Sequence, residues 1–307
     1  MKYASVLLAI GCLASAVSAQ FLETTIQLDS GANPSALCYN SANDKVYCAN
    51  ADAGSVTVID AATNEVITTI AVGEYPCSIC YNAPLNKVYC SGSTGSFIAV
   101  IDGSTDSVDA TIDVAEGLYA LCYNPQNNKV YGGRDGPNVT VVDCEGDSVL
   151  TTVPAWGSPL AFCYNSQNNK VYYAAQFGDH VGVIDGATDS PLAEIPLDPG
   201  SDPYAVCYSP TSNKVYCSAT NGHKVTVIDG RSDSIVNGVS VSSTHALCYC
   251  QHGNKVYVTQ NNGGVSVIDC VTDSVVAMVP TQDGPQAILY NAKSNKVFQK
   301  KGPARSG

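Results

Sequence analysis

The sequence is poor in the patterns that mark most enzymes. No segment places apolar residues at helical spacing over a useful length, which points to an all-β chain. There is no Gly-x-Ser-x-Gly nucleophile elbow, no phosphate loop and no dinucleotide fingerprint. Past the N-terminus, no apolar run is long enough to cross a membrane. Positive charge is scarce. The chain holds 15 Lys and Arg against 27 Asp and Glu, a net charge of −12. Seven of the lysines recur at one equivalent turn, so no basic patch remains to grip phosphates, which argues against nucleic acid and anionic membrane partners. No cofactor is indicated.

What the chain does have is repetition. A Lys-Val-Tyr core recurs at Lys45, Lys87, Lys129, Lys170, Lys214 and Lys255, and as Lys-Val-Phe at Lys296. Successive copies lie 42, 42, 41, 44, 41 and 41 residues apart. A fixed period of about 40 to 45 residues is the signature of one propeller blade per repeat. Each repeat splits into four strand signals. In the first they are Ala36 to Tyr39, Lys45 to Ala49, Ser55 to Ile59 and Glu65 to Val72. The first run is apolar without alternation, as expected of an innermost strand covered on both faces. The fourth alternates, as expected of an outer strand half in water. Asn, Asp, Gly and Pro fill the turns. Aspartate pairs such as Asp102 and Asp106 lack the alternating oxygen ligands of a calcium loop and read as turn caps.

The expected fold is all-β: a seven-bladed propeller of four-stranded antiparallel blades, the last blade incomplete and closed by the N-terminal strand Phe21 to Leu28. Residues 1–19 read as a secretory leader, with Lys2, the apolar run Val6 to Val17 and the small residues Val17-Ser18-Ala19 before a cut at Gln20. A lipoprotein reading through Cys12 is a poorer match. Residues 20–299 are the propeller and 300–307 a non-repeat tail. The last blade lacks a third-strand signal. Either it has three strands, or the native chain continues past Gly307. The protein is expected to be secreted, periplasmic or on the cell surface, as a monomer or part of a longer chain.

Six cysteines share one repeat position: Cys38, Cys80, Cys122, Cys163, Cys207 and Cys248. Cys48, Cys90 and Cys217 follow the repeat tyrosine. Spacings of ten allow Cys38/Cys48, Cys80/Cys90 and Cys207/Cys217 to be cross-strand disulfides in an exported chain. Half the repeats lack the second cysteine, which favours small buried hydrophobes instead. The lone Cys77-x-x-Cys80 has no second pair and no nearby His to make a metal site.

The run from Val56-Thr57-Val58-Ile59-Asp60 to Gly73 and Pro76, with Tyr47-Cys48-Ala49-Asn50 and Tyr257-Val258-Thr259-Gln260, resembles the YVTN-type β-propeller repeat. The resemblance covers nearly the whole mature chain. It implies a seven-bladed propeller of the kind found in exported and surface proteins of bacteria and archaea. It implies little about activity, because related propellers include binding scaffolds, lactone hydrolases and electron-transfer subunits.

Strands and the first turn are nearly constant between repeats, whereas the loops joining strand four to strand one and strand two to strand three vary. Both sets open on one face, which is where individual chemistry can sit. Candidate ligand-binding residues there are Tyr75, Arg134, Asp135, Trp156, Phe177, His180, Tyr204, His223 and His245. Aromatic rings beside carboxylates suit a protein, a glycan or a small polar molecule. Trp156 could equally cap the core, the histidines read as solvated loop residues, and Arg134-Asp135 reads as a local surface pair. No catalytic or metal residue is assigned. The expected function is a non-enzymatic binding scaffold. The alternatives are a lactonase-like enzyme or electron-transfer subunit with a metal or cofactor at the central channel, or a spacer module of a longer protein.

Overall fold

A computed structural model of the chain describes residues 6–11, 21–261, 263–281, 287–293 and 296–300. The expected leader cut, Cys12 and the tail past Lys300 lie outside the described residues. Every regular element described is a β-strand, and no helix among the described residues is long and apolar enough to cross a membrane.

Six repeats each fold as four consecutive antiparallel strands, giving blades at 34–71, 76–113, 120–154, 158–196, 203–240 and 244–279. The expectation of a seven-bladed propeller is thereby corrected: the propeller has six blades of four consecutive strands. The seventh Lys-Val-aromatic repeat supplies only an inner hairpin, Ala287–Asn291 and Lys296–Lys300. Its sheet is a composite of both chain ends, with Val6–Gly11 beside Lys296–Lys300 and Phe21–Gln27 outermost. The expected incomplete last blade is corrected too. The third place is filled by Val6–Gly11, part of the stretch read as leader, and Phe21–Gln27 joins through it. The hairpin strand Ala287–Asn291 packs between the first strands of blades 6 and 1, so the ring closes.

The middle strands of each blade are buried along almost their whole length, because both faces meet neighbouring blades. The innermost strands are half-buried, not fully covered as expected, since they border the ring's axis. The outer strands expose all but one or two positions, such as Ile70, Ile112 and Ile195. The apolar core is divided into clusters between adjacent blades. Tyr47, Val56, Val58, Val88 and Ile101 form one of them. A fully buried Val or Leu contributes about 1.5–3 kcal/mol.

The repeat tyrosine and lysine explain how blades hold one another. In blade 3, Lys129 Nζ lies 2.6 Å from Asp189 Oδ2 and Tyr131 donates its hydroxyl to Asp189 Oδ1 at 2.5 Å. Asp189 sits in the turn between strands three and four of blade 4, at a positive φ of 55°. The same clasp joins Lys45 and Tyr47 to Asp106, Lys87 and Tyr89 to Asp147, Lys170 and Tyr172 to Asp233, and Lys214 and Tyr216 to Asp273. At the seam between the composite sheet and blade 1 the device changes. Phe298 replaces the tyrosine, Asn64 replaces the aspartate with its Oδ1 buried and without a partner, and Lys293 pairs with Asp44 at 2.9 Å instead.

Of the turn aspartates that suggested calcium, the first of each pair is a cap, as expected, while the second, Asp106 or Asp189, is the clasp anion rather than a cap. Asp102 Oδ1 accepts the amides of Ser104 and Thr105 at 2.7 and 2.9 Å, and Asp185 does the same for Ala187 and Thr188. The thirteen described cysteines are free thiols. Register explains why the ten-residue pairs do not bridge. Cys38 stands opposite Tyr47 and Cys48 opposite Leu37, so the two thiols point to opposite faces.

Removing one clasp anion leaves the Lys129 ammonium without its partner and Tyr131 with only the Gly186 carbonyl, 3.3 Å away. Asp189→Ala should lower stability by about 2–3 kcal/mol, measured by urea unfolding. Adding Lys129→Met and Tyr131→Phe to that variant should cost little more, because the three side chains act as one unit.

The clasps and caps also set a pH window. Burial, then Asp106, raises the Tyr47 hydroxyl well above its ordinary value. Burial alone would lower Lys87, but the hydrogen bond and charge of Asp147 outweigh it and raise it. Turn amides hold Asp102 and Asp185 below the usual carboxylate range. Groups raised on folding stabilise fully below their unfolded values, about 10 for Tyr and Lys, and less as pH climbs past them. Groups lowered on folding stabilise above about 3.9 and less as pH falls. Leaving the histidines aside, the urea midpoint should therefore be flat between about pH 5 and 8, since burial also raises core thiols such as Cys38, Cys163 and Cys207, and fall on both sides.

Candidate functional site

The loop face of blades 3 to 6 carries a continuous set of contacts. Its origin is a local departure from the repeat. Where other second strands have Cys48, Cys90, Gly132, Cys217 or Val258, blade 4 has Tyr173. The residue opposite it is Gly182, where the others have Thr57, Ala99, Thr140, Thr226 or Ser266. The pair is matched in shape, because a Cβ at position 182 would lie 1.9 Å from the Tyr173 ring. The buried phenol therefore passes over Gly182 and its oxygen accepts the Trp156 amide at 3.0 Å. Burial raises the Tyr173 hydroxyl, so it stays neutral. Phe162 packs on its ring at 6.0 Å.

Trp156 is thus fixed by its backbone while its indole stays 39% exposed. His180 is the second tether, and the expectation of a solvated loop histidine is corrected for it. It begins the strand His180–Asp185 and is only 4% exposed. Its Nε2 lies 2.9 Å from the Trp156 carbonyl and its Nδ1 2.8 Å from the Gly178 carbonyl.

Gly178 lies between Phe177 and Asp179, both at positive φ, 63° and 51°. A left-handed bulky residue costs on the order of 1–3 kcal/mol, and Phe177 is also 77% exposed. The loop is held by its neighbours. Asp202 accepts the Phe177 amide at 3.4 Å, and Asp179 accepts the Gly200 and Asp202 amides at 2.7 and 3.1 Å. Those two amides hold the Asp179 carboxyl below its usual range. Asp202 also accepts from Thr220, next to the loop that carries exposed His223. Tyr204 and His245 then stack across blades 5 and 6 at 4.2 Å. Burial, then the Asp202 charge, raises the Tyr204 hydroxyl.

The arc continues the other way. Ser158 donates to Asp135 at 2.7 Å. Arg134 does not pair with the Asp135 carboxylate as expected. Its guanidinium takes the Glu116 carboxylate from the preceding loop, and its Nε donates to the Asp135 carbonyl. Tyr75 is exposed at a positive φ of 47° but shares no contact with this arc. Among the described residues no three His, Cys, Asp or Glu gather in a way that could hold a metal ion. Asn262, Asp283 and Gln286, which the variable-loop pattern also assigns to this face, lie outside the described residues.

Sequence reasoning found Trp156, Phe177, His180, Tyr204 and His245 from their loops but missed Tyr173, Gly178 and Gly182. The signal was present in the paired departure of positions 173 and 182 from the repeat.

Fold and site together define a β-propeller with an aromatic, carboxylate-bearing loop face. Among solved structures, the hydrazine synthase of Kuenenia stuttgartiensis is similar, with a TM-score of 0.76, 15% identity, and 88% of this chain and 96% of that chain covered. At that identity the likeness shows the fold alone. Since 1791 solved chains match, one neighbour's chemistry carries no special weight. No family model matches the sequence, and no curated protein matches it.

Proposed function

We propose that this protein is an exported, non-enzymatic scaffold that binds a protein or glycan partner through the loop face of blades 3 to 6. The observation that carries this reading is Phe177. It is 77% exposed and left-handed, yet its loop is held by hydrogen bonds to the neighbouring 200–202 loop and by His180 on the Gly178 carbonyl. Solvent-facing strain maintained by surrounding structure is a feature of ligand sites. Trp156, held by its backbone in the adjoining loop, supplies a second aromatic surface, and aromatic anchors dominate recognition energetics. The export half of the proposal rests on the leader-like N-terminus, and kinship with YVTN-type repeats rests on motif alone. The enzyme and electron-transfer alternatives gain no specific support, because His180 and His245 lie in strands of blades 4 and 6, His223 lies in a loop of blade 5, and they do different structural work.

The test is a screen of labelled protein against a glycan array and a displayed random-peptide library. Wild-type protein should retain a defined set of ligands. Trp156→Ala combined with Phe177→Ala should weaken them at least about tenfold, or about 1.4 kcal/mol, with an unchanged urea midpoint. Equal binding by the variant, or no ligand for the wild type, would overturn the proposal.

A further inference from the structure

We propose that His180 is the positioning residue of this face. Its charged, doubly protonated ring ties the Trp156 loop to the Phe177 loop, so presentation of the two aromatic rings follows pH. The inference rests on reading this face as a binding surface, but its test needs no ligand.

The argument is one of donors and acceptors. Both ring nitrogens face backbone carbonyl oxygens, Gly178 at 2.8 Å and Trp156 at 2.9 Å. A carbonyl only accepts. A neutral imidazole has one N–H and one lone pair, so it can serve one of these carbonyls and must turn a lone pair towards the other. The imidazolium has two N–H groups and serves both. His180 is 4% exposed, so a ring nitrogen left without a partner there has little access to bulk water. Unpaired buried polar groups are costly.

The surroundings suit the charge. Glu194, from the outer strand Ser190–Pro196, places Oε1 3.4 Å from Nδ1. The strand Lys170–Gln176 on the other side presents Ala175 opposite His180 and the neutral Tyr173 phenol. The Trp156 loop, 155–157, carries no titratable side chain. Asp179, next in sequence, is engaged by the amides of Gly200 and Asp202, and Asp202 itself by Thr220 and Phe177. Asp198 is paired with Lys224. Among the described residues Glu194 forms no ion pair with a lysine or arginine.

Contact with the loop is close. A Cβ at position 178 would sit 2.6 Å from His180 Cε1 and 2.8 Å from Nδ1, so only glycine lets the Phe177 loop lie on the ring. The two left-handed residues on either side, Phe177 and Asp179, give this loop reason to relax once the Gly178 bond is lost. Losing a proton from His180 therefore releases one of two loops, each of which carries an exposed aromatic residue.

The chain has one tryptophan, and it is Trp156, so intrinsic tryptophan fluorescence reports this site alone. Emission is recorded from about pH 8 to about pH 5, the span in which an imidazole changes charge. Wild-type protein should show a one-proton step, with bluer emission on the acid side. The step should persist in His223→Gln and His245→Gln, move to lower pH in Glu194→Gln, and vanish in His180→Gln. A flat wild-type profile, or an unchanged step in His180→Gln, would overturn the proposal. Should His180→Gln fail to fold, long-range proton–nitrogen spectra of the wild type read the same ring directly. Two protonated nitrogens on the acid side of the step support the proposal, and a ring neutral throughout overturns it. A pH step without any ligand on the arrays would sink the binding function and leave the positioning role standing.

Discussion

The structure depends on a charge-assisted clasp between neighbours. A lysine and a tyrosine two residues apart on one blade's second strand both reach one aspartate in the next blade's outer turn. The clasp works because of strand alternation. Residues two apart share a face, so Lys129 and Tyr131 point together at blade 4. In all five clasps the aspartate is left-handed, so one turn geometry accompanies the device each time. Once five such joints are in place the blades have fixed neighbours, and the apolar clusters between them are confined. The loops at the other end are then free to vary.

This constraint made the fold readable. The Lys-Val-Tyr spacing located every second strand, and the turn residues bounded the rest. The ends were less readable because the repeat is incomplete there. Val6–Gly11 looks like the apolar run of a leader, and nothing in its composition marks it as a strand bridging Lys296–Lys300 and Phe21–Gln27. Counting Lys-Val-aromatic copies therefore gave one blade too many, since the seventh copy supplies only a hairpin. The seam residues Asn64 and Phe298 are the visible trace of that difference.

The site was readable in outline only. Variable loops with aromatic residues were evident, so Trp156, Phe177 and Tyr204 could be named. Which of them act together could not be, because that depends on contacts between strands. Tyr173 reaches Trp156 only because position 182 lacks a side chain, and His180 is buried only because position 178 does. Both dependencies link residues across a turn or a ladder. Neither shows in a loop-by-loop reading. Tyr75 is the converse case, an exposed aromatic in the right kind of loop but outside the arc.

The view that a constant frame carries one specialised junction can be tested by restoring the repeat at that junction. Tyr173→Cys with Gly182→Thr gives blade 4 the residues found in blades 1 and 5. The measurement is hydrogen exchange of the Trp156 amide, which Tyr173 now accepts, against exchange in the strand His180–Asp185. The account predicts that the Trp156 amide exchanges at least about tenfold faster while the strand amides keep their protection. Unchanged protection at Trp156, or loss of protection through the whole blade, would contradict it.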